Sequence, residues 1–546
     1  MAFTQARQQL SLRSLRKHSR VVSLPGTDVR VMAELPASQH SLSFLPAVLK
    51  EREWFRKIAS VDLLKTIEVS MDEESYPIPV GQWCLDTLKD EYVRRRDRGV
   101  SPSWFQDLPR YVRQHIGYEY LVHGGDPLVI VPTMPYSGIR YVIQQGGMVQ
   151  ATLHAFPLGR LGEIAQLGYL RNPLSRLDGF ESTVTLEFRH TRLLHSYDVY
   201  VLARLMAARL ELGKVEANTL AFAALTHDIL TPAGGDTAKV VDPAGLDEDA
   251  NYSNMLREAG AEWEKLRERF RIDEELLIRT IKGEGLLGQL LDLADKCSYI
   301  SRDTDAFVGQ VQTFQEDGPI VRASPRRYNR ILDILRSEPD ICALWETVRI
   351  INGKLVIDDP DRLGDFLLLR GLMTKLLYYN AYSRFLEDGV MKAVFCCLHE
   401  QGKLSVEWLL GHNDADLRHH IDQETGVQML EVEIERKSHP LVEEFETETL
   451  ARERLAELLK EDPDLFVHMD MSRATSSAAI NRFPVLAGTK LLSLPEARPF
   501  MALDIENVLR SRRPYRVYAY RFSELGFSAD FAKSLRAFQE RRFIGP

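Results

Sequence analysis

One apolar stretch most limits what this chain can fold into. Leu220 to Leu230 is almost wholly apolar, yet it holds His227-Asp228. Burying an unpaired ionisable group in such a run is costly. The stretch therefore has to bring partners to the pair. Its pattern predicts a helix over 220–230, stopped by Pro232-Ala233-Gly234-Gly235. Two further ionisable residues sit in apolar surroundings: His195, 32 residues before His227, and Asp295, 67 residues after Asp228. Two imidazoles and two carboxylates suit a divalent metal ion, among Mn, Fe, Ni, Co, Zn and Mg. A lone His-Asp pair is usually a surface or capping pair; the ordered set His195, His227, Asp228, Asp295 is far more specific.

The 546 residues are 45% hydrophobic and 27% charged. That suits a globular protein long enough for two to four domains. No run of 18 apolar residues occurs, so no membrane span is expected. Five scattered cysteines without a CxxC pair (Cys84, Cys297, Cys342, Cys396, Cys397) point to a reducing, cytoplasmic setting. A net charge of −9 argues against a constitutive nucleic-acid coat, and leaves nucleic acid open as a local partner.

Residues 1–35 read as a flexible basic leader, carrying Arg7, Arg13, Arg16, Lys17 and Arg20. An organellar targeting peptide is the alternative reading. Residues 36–150 form an α+β region of unknown role, with strands expected at Leu128–Val131 and Ile139–Ile143. Residues 151–425 form a mainly helical core. Helices are expected at Val199–Met206, Leu286–Ile300 and Leu363–Phe385. Residues 426–546 form a second α+β region, with strands at Glu431–Glu435 and Tyr515–Tyr520 and a solvated helix over 447–462. The fold class is thus mainly α, a helical core with small α+β additions at both ends.

Four blocks of this core resemble the HD-domain metallophosphohydrolases, and within them the dNTP triphosphohydrolases. That branch includes bacterial dGTP triphosphohydrolases and the animal sterile-alpha-motif/HD enzyme. The blocks are Gly159 to Gly168, His190 to Ser196, His227-Asp228, and Asp295 to Asp303; the similarity covers about residues 155–400. The resemblance implies an HD helical core and a metal held by His195, His227, Asp228 and Asp295. It implies that Gln166 and Leu167 contact the nucleoside, Arg192 and Lys296 the phosphates, and Tyr299 and Asp303 the sugar. Lys296, Tyr299 and Asp303, at offsets of one, four and eight from Asp295, share one helical face. Arg370 and Tyr378 match a further substrate-contacting pair, with Asn380 where the family has a histidine. Members are often multimers under nucleotide control, which implies a homo-oligomer and an allosteric nucleotide.

The chain departs from the family just after the HD pair. Thr231 and Asp236 stand where the family has histidines that assist catalysis. Asp236 is a candidate general base, or a turn residue following Gly234-Gly235. Glu248, in Asp247-Glu248, is the other acid/base candidate, and Arg192 completes the catalytic set. His154 and His190 read as structural histidines. In this reading the metal polarises a phosphoryl oxygen, while Arg192 and Lys296 neutralise the remaining charge. The leading expectation is a dNTP triphosphohydrolase releasing tripolyphosphate. The alternatives are another HD phosphohydrolase acting on a monophosphate or signalling nucleotide, and a catalytically weakened nucleotide sensor.

Overall fold

The computed structural model describes residues 22–24, 26–33, 66–71, 74–79, 127–168, 172–174, 184–186, 188, 190–316, 326–379, 384–430, 441–462, 464–470, 483–510 and 515–543. The protein is mainly α with small sheets. It divides into two compact units, Met1–Gln150 and Ala151–Pro546. Residues 426–546 thus fall in the same unit as the helical core.

The first unit holds a four-stranded sheet ordered β1-β2-β6-β5. Its strands are β1 (Val22–Ser23), β2 (Val29–Ala33), β5 (Pro127–Met134) and β6 (Ile139–Gln144). A separate hairpin pairs β3 (Thr66–Met71) with β4 (Glu74–Pro79). The expected strands at 128–131 and 139–143 are present. The leader expectation does not hold for residues 22–33. Val29 and Val31 are fully buried and pair with Ile143 and Tyr141. The cause is the alternation Val29-Arg30-Val31, which gives a strand one apolar face. Arg7 to Arg20 lie outside the described residues.

In the second unit, α1 (Arg192–Arg209) and α2 (Lys214–Thr226) pack side by side. Thr191 caps α1 by accepting the Leu194 amide. Nearly every residue from His195 to Ala207 is buried, so α1 is a central helix rather than a surface one. Deleting one of its large core side chains, such as Leu205, would cost about 2–5 kcal/mol. The helix expected over 220–230 ends sooner, at Thr226. From there the Ile229 and Thr231 amides bond back three residues, to Thr226 and Asp228. This tightening leaves His227-Asp228 in a turn at the helix end.

α3 (Glu248–Phe270) begins at Asp247, whose carboxylate caps the Ala250 amide. α4 (Gly285–Glu316) is the longest helix and carries Asp295 to Asp303. The single helix expected over 363–385 is divided. α5 (Pro360–Met373) widens into a π-helical turn at Thr374–Tyr378, and a second π-helical stretch, Phe385–Met391, leads into α6 (Lys392–Glu400). Asn380 and the expected strand at 431–435 lie outside the described residues.

β7 (Asn172–Leu174) and β8 (Val184–Leu186) pair as a short hairpin, and β9 (Val348–Ile351) pairs with β10 (Lys354–Ile357). The last sheet contains β11 (Leu441–Phe445), β12 (Leu465–Asp470) and the longer Tyr515–Arg521 strand between them. Alternation assigns the faces of that central strand. Val517 and Ala519 pack with the helix Glu448–Glu461, while Tyr518 and Tyr520 pack with Phe385 of the π-helical stretch. Both faces are covered, so this sheet is built into the helical core.

Candidate metal centre

Three elements bring the metal candidates together. α1 supplies His195, the turn after α2 supplies His227 and Asp228, and α4 supplies Asp295. Ligand atoms of His195, His227 and Asp228 all lie within 4.8 Å of one another. The two imidazoles face each other, Nε2 to Nε2, at 3.2 Å. Asp295 Oδ1 lies 3.0 Å from His195 Nε2 and 3.7 Å from His227 Nε2. Asp228 lies 3.6 Å from His227 Nε2 and 3.7 Å from His195 Nε2.

The outer nitrogens settle how the rings present themselves. His227 Nδ1 sits 2.9 Å from the Ala224 carbonyl and must donate to it. Its Nε2 is therefore the lone-pair nitrogen in the neutral ring. His195 Nδ1 is held by Ser298 Oγ at 2.9 Å. Two ring nitrogens this close need a shared proton or a cation between them. Two oriented imidazoles beside two carboxylates fit a divalent ion, and the outer contacts are of the kind that fix ligating histidines.

The electrostatics agree. Burial disfavours a charged His227, but Asp228 and Asp295 outweigh it and push its pKa up to about 9. Burial also opposes ionisation of Asp228, yet Arg192 and the two histidines hold its carboxyl well below the usual range. Asp295 is held low in the same way, by His195 and His227. Without metal, the site keeps both carboxylates charged and holds a proton where a cation would bind.

The three catalytic candidates lie alongside. Arg192, buried, donates from Nη1 to Asp228 Oδ2 at 2.9 Å and from Nη2 to Asp236 Oδ2 at 3.3 Å. Asp236 is exposed, its side chain 65% accessible. Its surroundings oppose ionisation, but Arg192 and Lys239 hold it below the usual carboxylate range. Glu248 accepts the Thr231 hydroxyl at 2.8 Å and pairs with Lys239 at 3.2 Å. Burial first, then the charge of Asp228, pushes the Glu248 carboxyl up. A cleft of about 520 Å³ opens here, lined by Asp236, Lys239, Asp247 and Glu248 among others.

The substrate-contact candidates form a second group. Tyr299 OH accepts from Arg370 Nε at 2.8 Å, and its ring meets that of Tyr378 edge-on at 6.3 Å. Tyr378 OH donates to Asp303 Oδ2, and His190 Nε2 sits 2.7 Å from Asp303 Oδ1. His190 is thus satisfied by Asp303, in keeping with a structural histidine. Asp303 is fully buried and both its oxygens are engaged. Lys296 pairs with Asp292 one turn back. Gln166 is buried, its backbone N–H donates to the His190 carbonyl, and its side-chain Oε1 has no hydrogen-bond partner. Leu167 follows it, half-buried.

Several site residues were not recognised in the sequence. Lys239 and Ser298 carried a signal, each three residues after a candidate (Asp236 and Asp295) and so on the same helical face. Arg160 carried one as well, since it lies in the Gly159 to Gly168 block; Asp414 carried none. Arg160 donates to the carbonyls of Ile229, Thr231 and His412. Asp414 accepts the amides of Gly234 and Ala165, both at 2.8 Å. Together they pin the turn after the HD pair beside the Gln166 segment.

No protein-family model and no curated protein matches the chain. Among solved structures, a hypothetical protein from Aquifex aeolicus is 18% identical over 75% of this chain and 100% of its own, with a TM-score of 0.48. A phosphohydrolase from Bacteroides thetaiotaomicron VPI-5482 is 17% identical over 72% of this chain and 99% of its own, with a TM-score of 0.49. At this level of identity an activity does not follow from likeness, and the chemistry rests on the residues themselves. Among the described residues no helix is long and apolar enough to cross a membrane.

Proposed function

We propose that this protein is a metal-dependent phosphohydrolase acting on a nucleotide, and most concretely a dNTP triphosphohydrolase that splits a dNTP into deoxynucleoside and tripolyphosphate. The observation that carries the reading is the convergence of His195, His227, Asp228 and Asp295, with Arg192 anchored on Asp228.

These four residues would hold a divalent ion, which would supply a Lewis acid for a phosphoryl oxygen and ease deprotonation of water. Arg192 is kept charged: burial works against its charge, but Asp228, Asp236 and Glu248 outweigh that. Its guanidinium sits beside the metal ligands, where phosphate charge has to be neutralised. Glu248 carries a proton more readily than an ordinary glutamate and faces Lys239, which suits proton delivery to a leaving oxygen. Asp236, held ionised, suits the orientation of water or of Arg192.

The Tyr299, Tyr378, Asp303 and Arg370 group supports a nucleoside subsite, and the unsatisfied Gln166 Oε1 supports a base or sugar donor there. Tyr299 packed under the sugar would crowd a 2′-hydroxyl, which favours the deoxy series. In this reading the homo-oligomer and the allosteric nucleotide follow from the same resemblance. The test is an activity screen over all dNTPs and NTPs with added Mn²⁺ and identification of the products. Tripolyphosphate supports the triphosphohydrolase. Orthophosphate or pyrophosphate moves the assignment to another HD phosphohydrolase. Binding without turnover makes the protein a nucleotide sensor.

A further inference from the structure

A cavity of about 270 Å³ lies against the π-helical stretch Phe385–Met391. Its lining includes Gln539, which is only 2% exposed. Gln539 Nε2 donates to the Val467 carbonyl at 3.0 Å. That bond fixes the amide, because its carbonyl oxygen cannot face another carbonyl. Oε1 is left buried with no hydrogen-bond partner. A buried acceptor in this state loses free energy that a ligand N–H would restore.

The rest of the lining describes the ligand. Phe466 and Phe538 are buried aromatic walls. Charged groups are present but already compensated. Asp388 receives Arg384 Nη1 at 2.7 Å and pairs with Lys392, and Arg452 pairs with Glu448 at 2.7 Å. Asp388 and Arg452 are thus already paired, and His468 adds a further ring to the lining, so a flat apolar body with an N–H donor fits the walls and the acceptor.

We propose that this cavity is a binding site for a small, neutral heteroaromatic molecule bearing an N–H donor, which bonds to Gln539 Oε1. The wall it seats against is shared with the metal side of the protein. Glu387, beside Asp388, accepts the Thr237 hydroxyl at 2.8 Å, and Lys392 lines the cleft of Asp236 and Glu248. π-Helical turns are often found at functional sites.

The test is calorimetric titration of the full chain with adenine, guanine, cytosine, uracil and nicotinamide in turn. At least one is expected to bind saturably, one per chain. Gln539→Met keeps the volume without the acceptor and should weaken that binding about tenfold. Ala393→Leu places a good helix former in the cavity and should abolish it. Tyr299→Ala should leave it unchanged, which separates this site from the nucleoside subsite proposed above. Thermal melting shows that each variant is folded. The proposal is overturned if none of the five probes saturates, if binding survives both Gln539→Met and Ala393→Leu, or if Tyr299→Ala removes it.

Discussion

Thr231 donates its hydroxyl to Glu248 at 2.8 Å and so ties the turn that follows the metal ligands to the first residue of α3. Thr231 is fully buried, and Arg160 holds its carbonyl. Thr231 is therefore a support for Glu248. Glu248→Gln should retain metal and lower turnover by about 10²–10⁴-fold, the scale of general acid–base catalysis. Asp236→Asn should cost less, since Asp236 is exposed and bound to two cations. Steady-state rates on metal-loaded protein decide it, and the reverse order would make Asp236 the acid/base group.

The metal site predicts stoichiometry. Purified protein should carry about one divalent ion per chain, given the cluster of His195, His227 and Asp228 found among the described residues, with Asp295 beside it. His227→Ala and Asp228→Ala should each lose both metal and activity. Elemental analysis of the double variant is the check, and full occupancy there would refute the site.

The same site predicts a pH dependence in the metal-free protein. The folded-state pKa of His227, about 9, lies above its ordinary value of 6.5. The stability it contributes is therefore fully present below about pH 6.5 and lost as pH rises through about 9. After chelation the unfolding free energy should fall across that window by on the order of 1–3 kcal/mol, with a matching drop in melting temperature. His227→Ala should remove that step. Metal affinity should run the other way and rise over the same range, because binding displaces the proton. A flat melting profile between pH 6 and 10 would contradict a raised His227 pKa.

Sugar preference tests the second group. dNTPs should be hydrolysed faster than NTPs, and Tyr299→Ala should relax the preference more than it lowers stability. Asp303 is buried and holds His190 and Tyr378, so Asp303→Ala should weaken substrate binding by releasing them, by roughly 1.5–3 kcal/mol, the scale of a hydrogen bond to a charged group. Tyr378→Phe frees one Asp303 oxygen and should have a smaller effect. Equal kcat/KM for dNTPs and NTPs in the unmutated protein would sink the sugar assignment and leave the metal site standing.

The local pattern of the chain determined a good deal. Apolar density defined α1 and α4, alternation defined the strands at 139–144 and 515–521, and ionisable residues inside apolar runs marked His195, His227, Asp228 and Asp295. Periodicity and burial cost are properties of neighbouring residues, so one sequence displays them. Helix ends were less visible: α2 stops at Thr226 and the helix after α5 widens into π turns, because the tertiary bonds that reward those geometries come from distant residues. Only the fold decided the supports of the site. Arg160 reaches the 229–231 turn across about 70 positions, and Asp414 joins Gly234 to Ala165 across 180 and 249. It also decided that Asp303 is occupied by His190 and Tyr378. A hydrogen bond depends on distance and angle in space: the Gly159 to Gly168 block marks Arg160 but not the carbonyls it reaches, and nothing in the local composition around Asp414 distinguishes it from a solvated charge.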